Sequence, residues 1–342
     1  FKLATTNMAA MQFVMYGTII SILWFGGGMI RVGAMQVGEL TGFLSYVLQI
    51  LNSLMMISNI FLMLTRSLAS GKRIMEVLDE EIDITEDKAR DIEVTKGEVE
   101  FRHVYFKYKK EAPEYVLSDI NLHIRPGETV GIVGQTGSAK TTLVQLIPRL
   151  YDITSGELLI DGRPVEEYPL KNLRDAVAVV LQKNTLFSGT LRENLLWGDS
   201  SASREEIEEA CRTAGADEFI GRLEQGYDTE MGQGGVNVSG GQKQRLCIAR
   251  AILKKPKVLI LDDSTSAVDT ATEADIRERL AERLPHMTKI IIAQRISSVR
   301  HAGQIVVLDD GRVQGVGTHE ELLAGNKIYR EIYESQKEGA DL

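Results

Sequence analysis

Residues 129–141 decide the fold, and they read TVGIVGQTGSAKT. Thr129–Val133 is a short, mostly apolar run of strand type, and residues 134–141 follow it at once. This octet matches the pattern Gly-x-x-x-x-Gly-Lys-[Ser/Thr] except that Ala139 replaces the second glycine. A loop of this kind turns backbone N–H groups toward phosphates at the start of a helix. The segment therefore predicts an α/β P-loop NTPase domain that binds a nucleoside triphosphate.

The loop residues have separate predicted roles. Lys140 would neutralise phosphate charge, and the Thr141 hydroxyl would be a ligand of Mg²⁺. Ala139 departs from the pattern, because its Cβ either crowds the loop or demands a backbone angle that glycine tolerates better. The predicted phosphate-binding residues are Gly134, Gln135, Thr136, Gly137, Ser138, Ala139, Lys140, Thr141 and Thr142.

Two further segments support a nucleotide site. Residues 257–262 read KVLILD, an apolar strand that delivers the Asp262 carboxylate at its carboxyl end, where these folds hold the Mg²⁺ shell. Residues 238–242 read VSGGQ and open a helical run over 243–253. A serine before two glycines at a helix start indicates a second anion site, and a helix N-cap with a flexible loop is the alternative.

The N-terminal part is apolar and of membrane type. Residues 8–30 and 41–64 are uncharged runs of 23 and 24 residues, each long enough to span the ~30 Å hydrocarbon core of a bilayer as a helix. Two buried helices of a soluble core are the alternative, but such helices usually show a polar face. Glycines 26–28 suit close helix packing in lipid.

The flanking charges predict the orientation. Arg66, Lys72 and Arg73 follow the second run, so that end is predicted to be cytoplasmic. We expect a multi-pass protein of the cell membrane with a cytoplasmic nucleotide-binding domain. The predicted parts are a membrane part over 1–80, a polar linker over 81–96 and the α/β domain over 97–342. The chain begins at Phe1 with no signal-peptide pattern, which predicts a fragment of a larger protein.

Composition excludes some classes of function. The chain has 39 basic and 48 acidic side chains, a net charge of −9, and no net-basic domain. Nucleic-acid binding is therefore disfavoured, because counterion release by a basic surface supplies most of that affinity. Its two cysteines cannot form a disulfide framework, which favours a reducing compartment.

The phosphate loop, the strand that ends in Asp262 and the Ser-Gly-Gly-Gln segment together resemble the nucleotide-binding domain of the ABC transporter family. Residues 1–80 resemble the last two membrane helices of a type I (type IV) ABC exporter half-subunit. Residues 97–342 resemble its complete ATPase domain with a helical subdomain. The resemblance implies that two such domains meet head to tail and enclose two ATP molecules, each between the phosphate loop of one domain and the signature of the other.

The resemblance also implies roles for single residues. Tyr108 is similar to the aromatic residue that stacks on adenine, and Gln182 to the glutamine that touches Mg²⁺ or the attacking water. Residues 266–269 resemble the loop that crosses the dimer interface, with Asp269 as its acid. The signature positions are Val238, in place of the usual leucine, and Ser239, Gly240, Gly241 and Gln242.

Two positions differ from the pattern of active family members. Asp263 stands where those members have the glutamate that primes the attacking water, and it is shorter by one carbon–carbon bond of ~1.5 Å. A base has to lie within about 2.6–3.2 Å of the group whose proton it takes, so we expect the water to be out of direct reach. Gln294 stands where the family has a histidine, and its amide cannot carry a positive charge. Asp263, Gln294 and Gln182 are the predicted catalytic residues of a slow site.

The resemblance to a degenerate site predicts one subunit of a heterodimeric, multidrug-type exporter whose partner half-subunit has the intact site. The expected cargo is a hydrophobic small molecule, a lipid or a peptide. One alternative is a homodimeric lipid or peptide exporter with two weakened sites. Another is a non-transporting ABC ATPase that acts as a nucleotide-dependent clamp. A third is that Ala139, Asp263 or Gln294 was introduced to trap a nucleotide state.

Overall fold

The computed structural model describes residues 2–232, 234–235, 237–263 and 270–338. Contacts within the chain divide it into two compact units, residues 1–83 and residues 84–342. The division falls inside the predicted linker over 81–96, and residues 84–96 are grouped with the second unit. Hydrogen bonds explain this grouping, because Asp161 accepts from the backbone N–H groups of Thr95, Lys96 and Glu98 at 2.6–3.0 Å.

The first unit is a pair of helices, α1 (Lys2–Arg31) and α2 (Val37–Leu78). Both are long and apolar enough to cross a membrane, over Ala10–Arg31 and Val37–Leu78. Their large apolar side chains face outward, as for Phe13 and Trp24 at 82% and 78% exposure, and α2 buries no residue. In water this surface would be strongly unfavourable, whereas a bilayer is its natural solvent. Helix α2 extends past the predicted span because residues 65–78 continue its helical pattern.

Polar side chains in this helix pair bond to their own helix. The hydroxyls of Thr18, Ser21, Ser45 and Ser53 each donate to the carbonyl four residues earlier, at 2.8–2.9 Å. In lipid every polar group needs a partner inside the protein, and this arrangement provides one. Of the three consecutive glycines only Gly26 lies at the helix contact, where an added Cβ would overlap the Leu40 side chain.

The second unit contains two larger sheets and a short strand pair. Its strands are β1 (Val99–Phe106), β2 (Leu117–Ile124), β3 (Thr129–Val133), β4 (Ser155–Ile160), β5 (Arg163–Pro164), β6 (Val177–Val180), β7 (Gly189–Thr190), β8 (Glu230–Met231), β9 (Val258–Asp262), β10 (Thr288–Ile292), β11 (Gln304–Asp309) and β12 (Arg312–Gly317). Within the described residues, one sheet is antiparallel with the order β2-β1-β4-β5. The other has the order β12-β11-β3-β10-β9-β6, and all its pairs are parallel except β11 with β12.

Helices cover the mostly parallel sheet, and several of them pack on one another in a helical region. They are α3 (Lys140–Leu146), α4 (Leu170–Ala176), α5 (Leu191–Leu196), α6 (Arg204–Thr213), α7 (Asp217–Ile220), α8 (Gly240–Leu253), α9 (Thr270–Arg283), α10 (His319–Gly325) and α11 (Lys327–Glu338). Helices α5 to α8 share one core cluster, as the predicted helical subdomain requires. Two helices of membrane-spanning length followed by this α/β domain agree with the predicted fold class.

The parallel sheet separates two hydrophobic cores. Strand β9 shows why, because all five of its residues are buried and their side chains alternate between the two faces. Leu259 and Leu261 belong to the cluster with the helical region, whereas Val258 and Ile260 belong to the cluster with the antiparallel sheet and α3. Such a strand reads as a continuous apolar run in the sequence, which is typical of a sheet covered on both faces.

Candidate functional site

The site forms where four parallel strands end. Strands β3, β10, β9 and β6 are neighbours in this order, so their carboxyl ends share one edge of the sheet. The segments that follow them carry the phosphate loop, Gln294, Asp263 and Gln182 respectively. Backbone hydrogen bonds fix this edge, with Asp263 N–H donating to Ile292 O at 3.0 Å. Residues far apart in the sequence are therefore brought together by topology.

Backbone geometry explains the loop's small residues. Gly134 has no room for a side chain, because a Cβ there would overlap the carbonyl oxygen of Leu308. Gly137 has a φ of +87°, which L side chains rarely adopt. Ala139 lies in the same left-handed region at φ +69° and ψ +22°, so the position that departs from the motif is a strained one.

The N-terminus of α3 suits an anion. Ala139 is the N-cap residue and gives no side-chain hydrogen bond to the first turn. The first amides of a helix have no carbonyl partner within it, so the N–H groups of Lys140, Thr141 and Thr142 are left for another acceptor. Lys140 lies inside the loop, where its Nζ donates to the carbonyl oxygens of Gly134 and Gln135 at 2.8 and 2.7 Å. Burial lowers the pKa of Lys140, and the charges of Asp263 and Asp262 oppose that shift.

Thr141 and Asp262 bring together two side-chain oxygens that could hold a metal ion. The Thr141 hydroxyl donates to Asp262 Oδ1 at 3.1 Å, so the loop and the strand end are in contact. A hydroxyl and a carboxylate are the hard oxygen ligands that Mg²⁺ prefers. The described residues contain no cluster of three His, Cys, Asp or Glu side chains that could hold a metal. These two side chains therefore fit an ion that takes its other ligands from phosphate and water.

Asp263 is held by both predicted glutamines. Gln182 Nε2 and Gln294 Nε2 donate to the same atom, Asp263 Oδ2, at 2.9 and 2.7 Å. Burial raises the pKa of Asp263, as does the charge of neighbouring Asp262, while the two amide hydrogen bonds and Lys140 lower it. Burial likewise raises the pKa of Asp262, against its Thr141 hydrogen bond and Lys140. The three predicted catalytic residues thus form one hydrogen-bonded group beside the phosphate loop.

Tyr108 lies against the helix that follows the loop. Its hydroxyl and the Thr142 hydroxyl are 2.9 Å apart, and its ring packs edge-on against Phe106 and Tyr151, with centroids 4.9 and 5.0 Å away. The ring is 51% exposed, so part of it is accessible to a planar partner. Tyr151 was missed by the sequence analysis, since a lone tyrosine after a helix carries no motif.

The signature residues form a helix cap. Ser239 Oγ accepts from Gln242 N–H at 3.3 Å, and Gln242 Oε1 accepts from Ser239 N–H at 2.9 Å. This reciprocal capping box starts α8 at Gly240, three residues before the predicted helical run. Among the described hydrogen bonds, none joins Val238, Ser239 or Gln242 to the phosphate loop. Asp269, with the rest of residues 264–269, lies outside the described residues.

The edge of the sheet, the phosphate loop and the Thr141–Asp262 pair define a P-loop nucleotide-binding fold. Residues 117–266 match the family model described as ABC transporter. The chain is 43% identical over 343 residues to YfiB, named as an uncharacterized ABC transporter ATP-binding protein of Bacillus subtilis (strain 168), with 100% of this chain and 59% of YfiB covered. It is 40% identical over 338 residues to YgaD of the same organism, named as a candidate multidrug export ATP-binding/permease protein, with 97% and 58% covered.

A solved structure is similar over nearly the whole chain. It is described as a bacterial Atm1-family ABC exporter with ATP bound, and the match has a TM-score of 0.75 at 32% identity, covering 98% of this chain and 59% of that one. The chain thus spans about three fifths of the length of these relatives. The second unit is an ATPase domain of the ABC transporter type, and the fold is that of transmembrane-type helices joined to such a domain.

Proposed function

We propose that this chain is part of an ABC exporter half-subunit that couples ATP binding and hydrolysis to export of hydrophobic or amphipathic compounds. We further propose that it carries the slow, degenerate site of a heterodimer. The observation that carries this proposal is the Asp263 group, in which a short carboxylate accepts two side-chain amides on one oxygen. The export class is supported by the name of the relative YgaD and by the likeness to an Atm1-family exporter.

The residues would act on ATP as follows. The amides at the start of α3 and the Lys140 ammonium bind the phosphates, and the Tyr108 ring stacks on the base. Thr141 and Asp262 would hold Mg²⁺, with Gln182 beside them, and the ion would supply charge neutralisation at the transferred phosphate. Asp263 is one methylene shorter than a glutamate, so it orients water less well. Gln294 donates a hydrogen bond but brings no positive charge to the developing phosphate charge.

The signature belongs to a different site in this proposal. Ser239 caps α8, and its described side-chain hydrogen bonds are to Gln242 rather than to the phosphate loop. The exposed start of α8 with its two glycines would complete the ATP site of a partner half-subunit, together with Asp269. The impairment is then asymmetric, because Asp263 and Gln294 slow this chain's own site while the signature serves the partner's site.

The outward-facing apolar side chains of α1 and α2 support a membrane location. We propose a multi-pass subunit of the cell membrane, with the lipid bilayer around the helices and the ATPase domain in the cytoplasm. The net charge of −9 gives no support to a nucleic-acid partner. A clamp-like ATPase that transports nothing is the less favoured reading, because it leaves two helices of membrane-spanning length without a purpose.

The test is the double substitution Asp263→Glu with Gln294→His in the assembled complex. We expect ATP turnover at this chain's site to rise by about 10²-fold, because a positioned acid–base group contributes roughly 10²–10⁴-fold. The measurement is single-turnover hydrolysis with the partner's own glutamate replaced, so that only this site contributes. The single variant Lys183→Arg is the control, because Lys183 adjoins Gln182 but its side chain is exposed. Unchanged turnover in the double variant, or fast turnover by the unaltered chain alone, contradicts the degenerate-site proposal.

A further inference from the structure

One side chain of the last helix holds the loop that carries Gln294. Gln336 Nε2 donates to the backbone carbonyl oxygen of Gln294 at 2.7 Å. Its Oε1 accepts from the backbone N–H of Ile296 at 2.9 Å. The Gln336 amide therefore spans the turn and fixes the backbone on both sides of Arg295.

The loop that is held in this way carries a residue of the site. The Gln294 side chain leaves the same backbone and places Nε2 at 2.7 Å from Asp263 Oδ2. The C-terminal helix α11 is itself well anchored, because Tyr329 is fully buried and its hydroxyl lies 2.8 Å from His319 Nδ1. A continuous path of hydrogen bonds and packing thus leads from the core contact of α11 to the carboxylate of Asp263.

We propose that Gln336 is a positioning residue for the Gln294–Asp263 pair, and that α11 sets the rate of hydrolysis at this site through it. The rate aspect rests on the proposed function. The chemistry requires an amide, because one end of the side chain has to donate to a carbonyl and the other end has to accept from an N–H. Leucine matches the size but offers neither. An ionised glutamate still accepts from the Ile296 N–H, but its second oxygen faces the carbonyl oxygen of Gln294, and neither of these two oxygens can donate a hydrogen bond.

The first test is independent of activity. Hydrogen–deuterium exchange of the full chain in lipid is compared for the unaltered protein and the Gln336→Leu variant, over a peptide that contains residues 294–298. We expect exchange there to be several-fold faster in the variant, because the Ile296 N–H loses its acceptor. Lys337→Ala is the matched control, since Lys337 is exposed on the same helix, and it should leave the exchange rate unchanged. An exchange rate in Gln336→Leu equal to that of the unaltered chain overturns the proposal.

The second test uses Gln336→Glu and hydrolysis by the assembled complex in which the partner's own glutamate has been replaced, so that only this site contributes. It runs from about pH 4 to pH 7, which spans the ordinary glutamate pKa of about 4.3. A protonated carboxyl donates and accepts as the amide does, so the ratio of variant to unaltered kcat should rise toward one as the pH falls. KM for ATP should not change, because the phosphate loop is untouched. A ratio that is constant with pH, or a change confined to KM, overturns the positioning role. An unaltered chain that binds no ATP overturns the proposed function instead, and the exchange test still decides the role of Gln336.

Discussion

At the scale of single residues, the site combines strain with charge. Ala139 holds a left-handed backbone angle that a Cβ makes unfavourable, and Asp263 shares this feature with a φ of +45°. Aspartate tolerates that region better than alanine, because its short polar side chain can bond locally. Ala139 and Asp263, two positions that depart from the family pattern and share a positive φ, thus differ in their physical cost, which leads to two separate predictions.

Ala139→Gly should stabilise the fold. A left-handed alanine costs about 1–2 kcal/mol, and the extra freedom of an unfolded glycine offsets about 0.5–1 kcal/mol of this. We expect a net gain of roughly 0.5 kcal/mol, which corresponds to a rise in Tm of about 1–2 °C for a domain of this size. Differential scanning calorimetry measures it. The control is Ala274→Gly, at an exposed position of helix α9, and its free energy of unfolding should fall by about 1 kcal/mol. A Tm that falls in both variants would contradict the strain at Ala139.

Asp263→Asn should stabilise the protein at neutral pH and slow hydrolysis further. Burial and Asp262 raise the pKa of Asp263 in the folded state, so the fold disfavours its ionised form. Above the pKa of Asp263 in the folded state, the ionised carboxylate destabilises the fold to its full extent. This destabilisation disappears as the pH falls through that pKa toward the pKa of about 3.9 in the unfolded state. We expect a gain in stability at pH 7 that shrinks toward acid pH.

Urea denaturation at a series of pH values checks this prediction. The asparagine Oδ1 still accepts from Gln182 and Gln294, so the comparison isolates the charge. Asp91→Asn is the control, because Asp91 is exposed and distant in sequence from the strand ends. A stability difference between Asp263→Asn and the unaltered chain that does not vary with pH would show that the Asp263 charge is not what the fold disfavours.

At the scale of elements, capping explains how α8 presents its N-terminus. Ser239 and Gln242 satisfy each other's backbone N–H groups, which holds the two intervening glycines at the first turn. Helix α6 starts with the same arrangement, since Ser203 and Glu206 form a capping box as well. The two helices therefore provide a matched pair, one at the signature and one outside it.

Ser239→Ala and Ser203→Ala should destabilise the fold equally but affect activity differently. Loss of an N-cap serine costs about 1 kcal/mol in either helix. Only Ser239→Ala removes a hydroxyl from the pocket that we propose to be shared with the partner. We expect hydrolysis at the partner's site to fall about tenfold or more in Ser239→Ala and to stay unchanged in Ser203→Ala, as measured by ATP turnover of the assembled complex. Equal activity of the two variants would show that the signature serves only as a cap.

Local sequence patterns predicted the helices and strands well, but the contacts between residues far apart in the sequence could not be predicted from them. Strand β3 has the predicted bounds, because an apolar run before a phosphate loop is a strong local signal. The meeting of Gln182, Asp263 and Gln294 follows from parallel strands with a common edge, but their sharing of one oxygen atom does not. The contact of Gln336 with a residue 42 positions away has no periodicity or motif that would reveal it.

At the scale of the whole molecule, the two units differ in the solvent that they require. Residues 1–80 have a net charge of +1 and residues 81–342 a net charge of −10. The helices bury little of their apolar surface in one another, so this surface requires an apolar environment, whereas the second unit is acidic.

Native mass spectrometry of the complex purified from membranes should show two different chain types in equal numbers. This expectation follows from the slow site that we propose, because two identical copies would then contain no fast site at all. The control is the same measurement after exchange into denaturing solvent, which gives the mass of each chain. A complex of one chain type would favour the homodimeric exporter with two weakened sites.

The shared oxygen of Asp263 has a mechanical consequence. Because one atom receives both amides, the segments after β6, β9 and β10 are tied at a single point. Movement of the segment after β9 strains both hydrogen bonds at once, and movement of either neighbouring segment pulls on the oxygen that holds the other, so we expect the three to loosen or tighten in concert rather than one by one. A site with no tie of this kind could let its loops relax separately, whereas here a local disturbance spreads sideways across the sheet edge.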